Sequence, residues 1–128
     1  MIKKLLIVAI LLGIFYIVFS NKCTEKFQHY IDSHHTAKWA PSAQFRLATW
    51  LFFTRRYEKS LTSYQRLILK YPGYPGAPEA LFRIAECYEN LNEIESALTK
   101  YKEFVFFHPN HPWVTKANNN IIRLKLLK

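Results

Sequence analysis

The sequence predicts an all-α fold of two helix hairpins and a closing helix, preceded by one apolar N-terminal helix. Residues 41–72 and 78–109 align without a gap at a spacing of 37, and ten of the thirty-two aligned pairs are identical. A repeat of about 20 to 50 residues is typical of solenoids, in which each unit buries its apolar face against the next. The second observation is an unbroken apolar run over residues 5–19.

The composition favours a folded chain with protein partners. Half of the 128 residues are hydrophobic and three are glycine, which argues against disorder. The formal charge of +9 divides into +3 for residues 1–40, +5 for 41–77, −3 for 78–112 and +4 for 113–128. Such bands suit complementary protein surfaces, or anionic lipid near the N-terminus, better than a nucleic-acid backbone. We therefore expect protein partners and a membrane, and no nucleic acid.

The first element, residues 1–21, predicts a membrane anchor or a signal segment. Its fifteen apolar residues are typical of a secretory signal and short for a membrane span, which needs about 20. Three outcomes stay open: retention, cleavage near Ser20, and lipidation of Cys23. The favoured outcome is retention of the segment as a single-pass anchor in a bacterial-type inner membrane. Lys3 and Lys4 then stay in the cytoplasm, and the rest of the chain is exported to the periplasm.

Residues 22–40 form the predicted connector. Phe27, Tyr30 and Ile31 recur at helical spacing, so a short amphipathic helix is expected, ending near residues 32–35. Packing on the next helix is the favoured role for this stripe, with recognition of a partner as the alternative.

Each repeat, 41–77 and 78–112, predicts a hairpin of two helices. A proline opens the first helix, a turn follows, and another proline ends the second helix. These positions are Pro41, Arg55-Arg56 and Pro72 in the first repeat, and Pro78, Asn92 and Pro109 in the second. Helical periodicity then gives the core. The predicted repeat core is Leu47, Ala48, Leu51, Ser60, Tyr64, Ile84, Ala85, Tyr88, Ala97 and Tyr101.

The small residues Ser60 and Ala97 are expected to let the two helices of a pair approach closely. A bulky side chain at either position should cost about 1 to 3 kcal/mol through overpacking.

This pattern resembles the tetratricopeptide repeat. A large residue precedes a small one at Leu47-Ala48 and Ile84-Ala85, and an aromatic residue follows at Tyr88. The second repeat fits better, because the first has Gln44 where a large apolar residue is usual and Ser60 in place of alanine. The proline-rich linkers resemble those of outer-membrane barrel-assembly lipoproteins and related cell-envelope proteins. The resemblance implies a scaffold rather than an enzyme.

The closing helix is expected over residues 113–127. Its predicted buried stripe is Val114, Ala117, Ile121 and Leu124. Ile122 and Leu126 lie off that stripe, which indicates a further neighbour.

The family resemblance also implies a concave groove lined by the first helix of each pair. The predicted groove residues are Phe45, Thr49, Phe52, Phe53, Phe82, Glu86, Glu89 and Asn90. The groove would pass from aromatic to acidic, which suits a partner segment with apolar and basic ends. Alternatively, the connector fills its aromatic half. Phe52→Asp is expected to abolish partner capture and leave helicity unchanged.

No motif in the sequence indicates a cofactor, a metal site or catalysis. The paired histidines have no cysteine or carboxylate to complete a tetrahedral set, and the glutamates of the second repeat are typical of a solvated surface. Cys87 is expected to be a buried thiol, without a disulfide to Cys23.

The sequence therefore predicts a membrane-tethered extracytoplasmic scaffold, an accessory or assembly subunit of a larger membrane complex. The alternative is self-assembly, with the basic first repeat of one copy stacked on the acidic second repeat of the next.

Overall fold

The computed structural model describes residues 1–128, and its seven α-helices without a strand confirm the predicted all-α fold. The helices are α1 (Ile2–Phe19), α2 (Asn21–Ser33), α3 (Ala40–Phe53), α4 (Tyr57–Lys70), α5 (Ala77–Asn90), α6 (Ile94–Phe107) and α7 (Val114–Leu126). They fall into two compact units, Met1–Ala37 and Lys38–Lys128.

In the second unit, which we call the repeat domain, each helix packs on the next one along the chain, from α3 to α7. The 37-residue period of the sequence is the period of the helices: α3, α5 and α7 begin at Ala40, Ala77 and Val114. Helix α7 therefore lies at the position that the first helix of a third repeat would occupy.

The helix boundaries follow from local chemistry. Pro41 and Pro78 lie in the first turns of α3 and α5, where a missing N–H breaks no helical hydrogen bond. The turns within the hairpins are equivalent, because Arg55 and Asn92 both adopt a left-handed conformation, with φ of 61° and 62°.

Each of these turns closes with the same pair of backbone hydrogen bonds. The Arg56 N–H donates to the Leu51 carbonyl at 2.9 Å, and the Arg55 N–H donates to that of Phe52 at 3.0 Å. The second repeat copies both bonds from Glu93 and Asn92. This is the Schellman arrangement, which satisfies carbonyls left unpaired at a helix end.

The core consists of two clusters, and each includes the first helix of the repeat position that follows. The cluster of α3, α4 and α5 contains Ala48, Tyr64, Leu67, Ala80, Ile84 and Cys87. The cluster of α5, α6 and α7 contains Phe82, Ala85, Ala97, Leu98, Tyr101, Phe104, Ala117, Ile121 and Leu124. Each repeat is thus completed by the helix that follows it.

Nine of the ten residues assigned to the repeat core from the sequence are buried. The tenth, Tyr88, is half-buried and packs against both clusters. Ser60 also joins α4 to α3 by a hydrogen bond, which its small size does not predict. Its hydroxyl donates to the Ala48 carbonyl at 2.8 Å.

Gln44, which departs from the family pattern, is buried and has a polar partner. Its Nε2 donates to the Ser63 carbonyl at 3.1 Å and to the Ser63 hydroxyl at 2.6 Å. A buried amide is tolerated when it is hydrogen-bonded, so this pair between α3 and α4 takes the place of an apolar contact.

The first unit contains α1 and α2. Helix α1 has 18 residues with a mean hydropathy of 2.4, and none of them is buried within the protein. Its length and composition suit a membrane span and equally a signal sequence. Helix α2 begins immediately after Ser20, whose hydroxyl accepts from the Cys23 N–H at 3.3 Å and caps the helix.

Candidate functional site

Side chains from α3, α5 and α7 meet on one side of the repeat domain, which we call the first-helix face. At its centre is Arg83 of α5. Its guanidinium carbon lies 4.9 Å from the ring centroid of Phe52, 5.5 Å from that of Phe53 and 5.4 Å from that of Trp113. Its Nη1 also lies 2.6 Å from a carboxylate oxygen of Glu86. An arginine held by three rings and a carboxylate has little freedom to move.

The acidic residues of this face are already paired within the chain. Lys116 Nζ lies 3.3 Å from Glu86, and Arg123 Nη2 lies 2.6 Å from Glu89. Glu89 also accepts a hydrogen bond of 3.0 Å from the Tyr101 hydroxyl. The expected open acidic half of the groove is therefore an internal ion-pair network, because α7, with basic and no acidic residues, lies beside α5.

Most of the predicted aromatic groove residues are partly packed. Phe45 makes ring contacts with Tyr64 at 5.9 Å and Tyr74 at 5.7 Å. Phe52 contacts Tyr57 at 5.5 Å in addition to Arg83. These side chains support the first cluster and leave only part of their surface accessible.

Phe53 is the accessible aromatic residue of the predicted set, since its side chain is 66% exposed. Asn90 is also exposed, and its amide donates to the Glu86 carbonyl at 2.8 Å. Thr49 is half-buried, and its hydroxyl lies 2.9 Å from the Tyr64 hydroxyl.

The repeat position of Phe82 predicts a groove residue, but the structure places its side chain in the core. Its side chain is fully buried, with ring contacts to Tyr101 at 5.3 Å, Phe104 at 5.4 Å and Trp113 at 5.1 Å. The equivalent Phe45 is not enclosed to this extent, because only Phe82 has Trp113 beside it.

Sequence reasoning missed the α7 side of the face, namely Trp113, Lys116 and Arg123. A signal was available, since Ala117 lies 37 residues after Ala80 and so puts α7 in the register of a first helix.

The buried polar groups near this face stay neutral at physiological pH. Burial raises the pKa of Tyr64 to about 12 and that of the Cys87 thiol to about 11. Burial, with Glu89 nearby, also raises the pKa of Tyr101. Because the thiolate is the nucleophilic form, Cys87 is a packing residue rather than a reactive one.

A hollow of about 540 Å³ lies between α4, α5 and α6, apart from the first-helix face. Its walls are mainly apolar and include Ile68, Leu69, Leu81, Ile84 and Phe107. Sequence reasoning did not identify it, because its walls come from three helices. No group of three or more His, Cys, Asp or Glu side chains in residues 1–128 is placed to hold a metal ion.

Comparison with known protein families gives two matches. Residues 42–74 and 79–111 each match the family model described as tetratricopeptide repeat, and together they cover just over half of the chain. No curated protein matches the sequence significantly.

Proposed function

This chain belongs to the tetratricopeptide repeat family, and from that premise we propose that it is a membrane-tethered scaffold for protein–protein interaction. Tetratricopeptide repeats are in general interaction modules rather than enzymes. In this proposal the repeat domain is extracytoplasmic, as in the cell-envelope proteins whose linkers it resembles, and it serves as an accessory or assembly subunit of a larger membrane complex.

The observation that carries the proposal is the first-helix face. Phe53 offers an exposed ring beside Arg83, whose charge is only partly offset by Glu86, since Lys116 shares that carboxylate. An exposed aromatic residue next to a fixed cation is a typical anchor at interfaces. The chemistry suits a partner segment that brings an apolar side chain to Phe53 and a carboxylate to the cations. We therefore propose a partner segment with an acidic end, in place of the basic end expected from the sequence.

The test compares partner capture by the full-length chain and by two variants in detergent-solubilised membranes. Phe53→Asp removes the exposed ring and adds a charge, so we expect the specific partner to be lost while helicity by circular dichroism stays unchanged. Leu127→Asp likewise replaces an apolar side chain with a charge, at an equally exposed position just after α7, and should retain that partner. Capture of the same proteins at the same levels by the Phe53 variant would exclude this face.

The membrane part of the proposal depends on α1. An 18-residue apolar helix spans about 27 Å at 1.5 Å per residue, close to the thickness of a bilayer core. Intact mass of the chain purified from membranes distinguishes the three outcomes: the full mass supports a retained anchor, a loss of about 20 residues indicates signal cleavage, and an added lipid mass indicates modification of Cys23.

Head-to-tail self-assembly is the alternative function. The exposed cations of the first repeat, such as Arg46, favour it, but the acids of the second repeat are largely engaged. Four of those six acids pair with a lysine or arginine of the same chain: Glu86, Glu89, Glu95 and Glu103. Sedimentation in detergent separates the two ideas, because stacking predicts salt-sensitive oligomers and the scaffold predicts a monomer.

A further inference from the structure

A second accessible apolar surface lies on α4 and α6, the second helices of the two hairpins. Leu69 near the end of α4 is 83% exposed, and its repeat equivalent, Phe106 of α6, is 78% exposed. Phe107, which is 64% exposed, makes an edge contact with Phe106 at 5.1 Å and lines the hollow between α4 and α6 together with Leu69. We call these three residues the apolar ridge.

Two lysines lie next to the apolar ridge. Lys102 shares a shallow depression with Phe106 and Phe107, and Lys100 lines the hollow. The acid among these lining residues is Glu103, and it pairs with Lys100 at 2.9 Å. Lys102 therefore leaves a net positive charge beside the large apolar side chains of the apolar ridge. This combination is typical of segments that bind the interface of an anionic bilayer.

We propose that the apolar ridge docks on the surface of an anionic lipid bilayer, the one that holds α1. The inference rests on the proposed membrane tether. Three apolar side chains and two lysines give weak binding to a free protein, but a covalent tether converts docking into an intramolecular event at high effective concentration. Docking would restrict the orientation of the repeat domain and so hold the first-helix face in a defined position for its partner.

The charge on the apolar ridge selects the bilayer over a second copy of the chain. Two ridges that face each other would bring lysines against lysines, whereas anionic headgroups complement them. The same lysines predict that docking weakens as salt increases. A neutral bilayer lacks this attraction, so lipid charge is the variable that the experiment changes.

The experiment uses the full-length chain with an environment-sensitive NBD fluorophore on Phe106→Cys. Cys23→Ser removes the exposed native thiol, and Cys87 is buried. The chain is reconstituted into vesicles of phosphatidylcholine, with or without phosphatidylglycerol. We expect the emission to move to shorter wavelength only with phosphatidylglycerol, and to return at high salt. A label on Asn90→Cys, at the first-helix face, should show no such shift.

A charge-reversal variant tests the role of Lys102. Lys102→Glu should abolish the shift of the label at position 106, whereas Lys125→Glu on α7 should leave it intact.

Vesicle flotation separates failure of the ridge from failure of the tether. If the chain floats with the vesicles but the label at position 106 stays water-like in both lipid mixtures, ridge docking is overturned and the tether stands. If the chain does not float, the tether fails, and ridge docking fails with it. An equal shift in both lipid mixtures overturns the proposal as well, because the label then enters an apolar environment without regard to lipid charge.

Discussion

Residues at equivalent positions of the two repeats differ in what they do, because their neighbours differ. Arg46 and Arg83 lie 37 residues apart, yet only Arg83 lies over aromatic rings and pairs with a glutamate. Ser60 and Ala97 are both fully buried, but only Ser60 donates a hydrogen bond across the hairpin. Repeat position determines burial well, whereas polar contacts depend on each residue's surroundings.

Stability at high pH is a prediction at the residue scale. The Cys87 thiol has a pKa of about 11 in the folded protein against 9.0 for an exposed thiol. As pH rises, the unfolded chain therefore loses this proton first. The contribution of the protonated, buried thiol to the free energy of unfolding is complete below about pH 9 and is lost as pH rises through about 11. Tyr64 adds the same effect between about 10 and 12.

Urea unfolding at a series of alkaline pH values measures this loss. Cys87→Ala should flatten the fall in free energy of unfolding between about pH 9 and 11, while Cys23→Ala, at an exposed thiol, should not. Equal slopes for the two variants would show that burial of the Cys87 thiol does not carry the dependence.

At the scale of the helix, packing and turns matter more than helix propensity. Helix α7 contains Asn118, Asn119 and Asn120, which are poor helix formers. It is nevertheless continuous, because Ala117, Ile121 and Leu124 are buried in the second cluster. The hairpin turns depend instead on local backbone conformation, because each needs a left-handed φ at a single residue.

The left-handed residue of each turn gives a reciprocal prediction. Asparagine tolerates this conformation better than arginine does. Arg55→Asn should therefore raise the free energy of unfolding by about 0.5 to 1 kcal/mol, and Asn92→Arg should lower it by a similar amount. Urea unfolding in mild detergent measures both. A change in the same direction for the two variants would show that side-chain contacts, rather than φ, dominate at these turns.

For the whole molecule, the sequence was sufficient for the fold but not for the first-helix face. The repeat of Pro41 at Pro78 and the small residues of the core specify two hairpins, because burial repeats with the period of the chain. The pairing of Glu89 with Arg123 spans 34 residues and has no copy in the first repeat, so periodicity gave no signal of it. The groove prediction for Phe82 is wrong for the same reason, since Trp113, which contacts its ring, lies outside the repeated segment.

The solenoid arrangement predicts that a change in the last helix is felt along the whole repeat domain. Leu124 of α7 is fully buried in the second cluster, and Tyr88 packs against both clusters. Leu124→Ala should lower the free energy of unfolding by about 2 to 5 kcal/mol, as for other buried leucines. Leu126→Ala, at an exposed position of the same helix, should change it little.

Because neighbouring units share interfaces, α3 should lose structure in the same transition as α7. Urea unfolding followed by far-ultraviolet circular dichroism and by fluorescence of a chain that keeps only Trp50 tests this. Coincident transitions support one cooperative unit, whereas an unshifted Trp50 transition in the Leu124 variant would mean that the first repeat folds without the last helix.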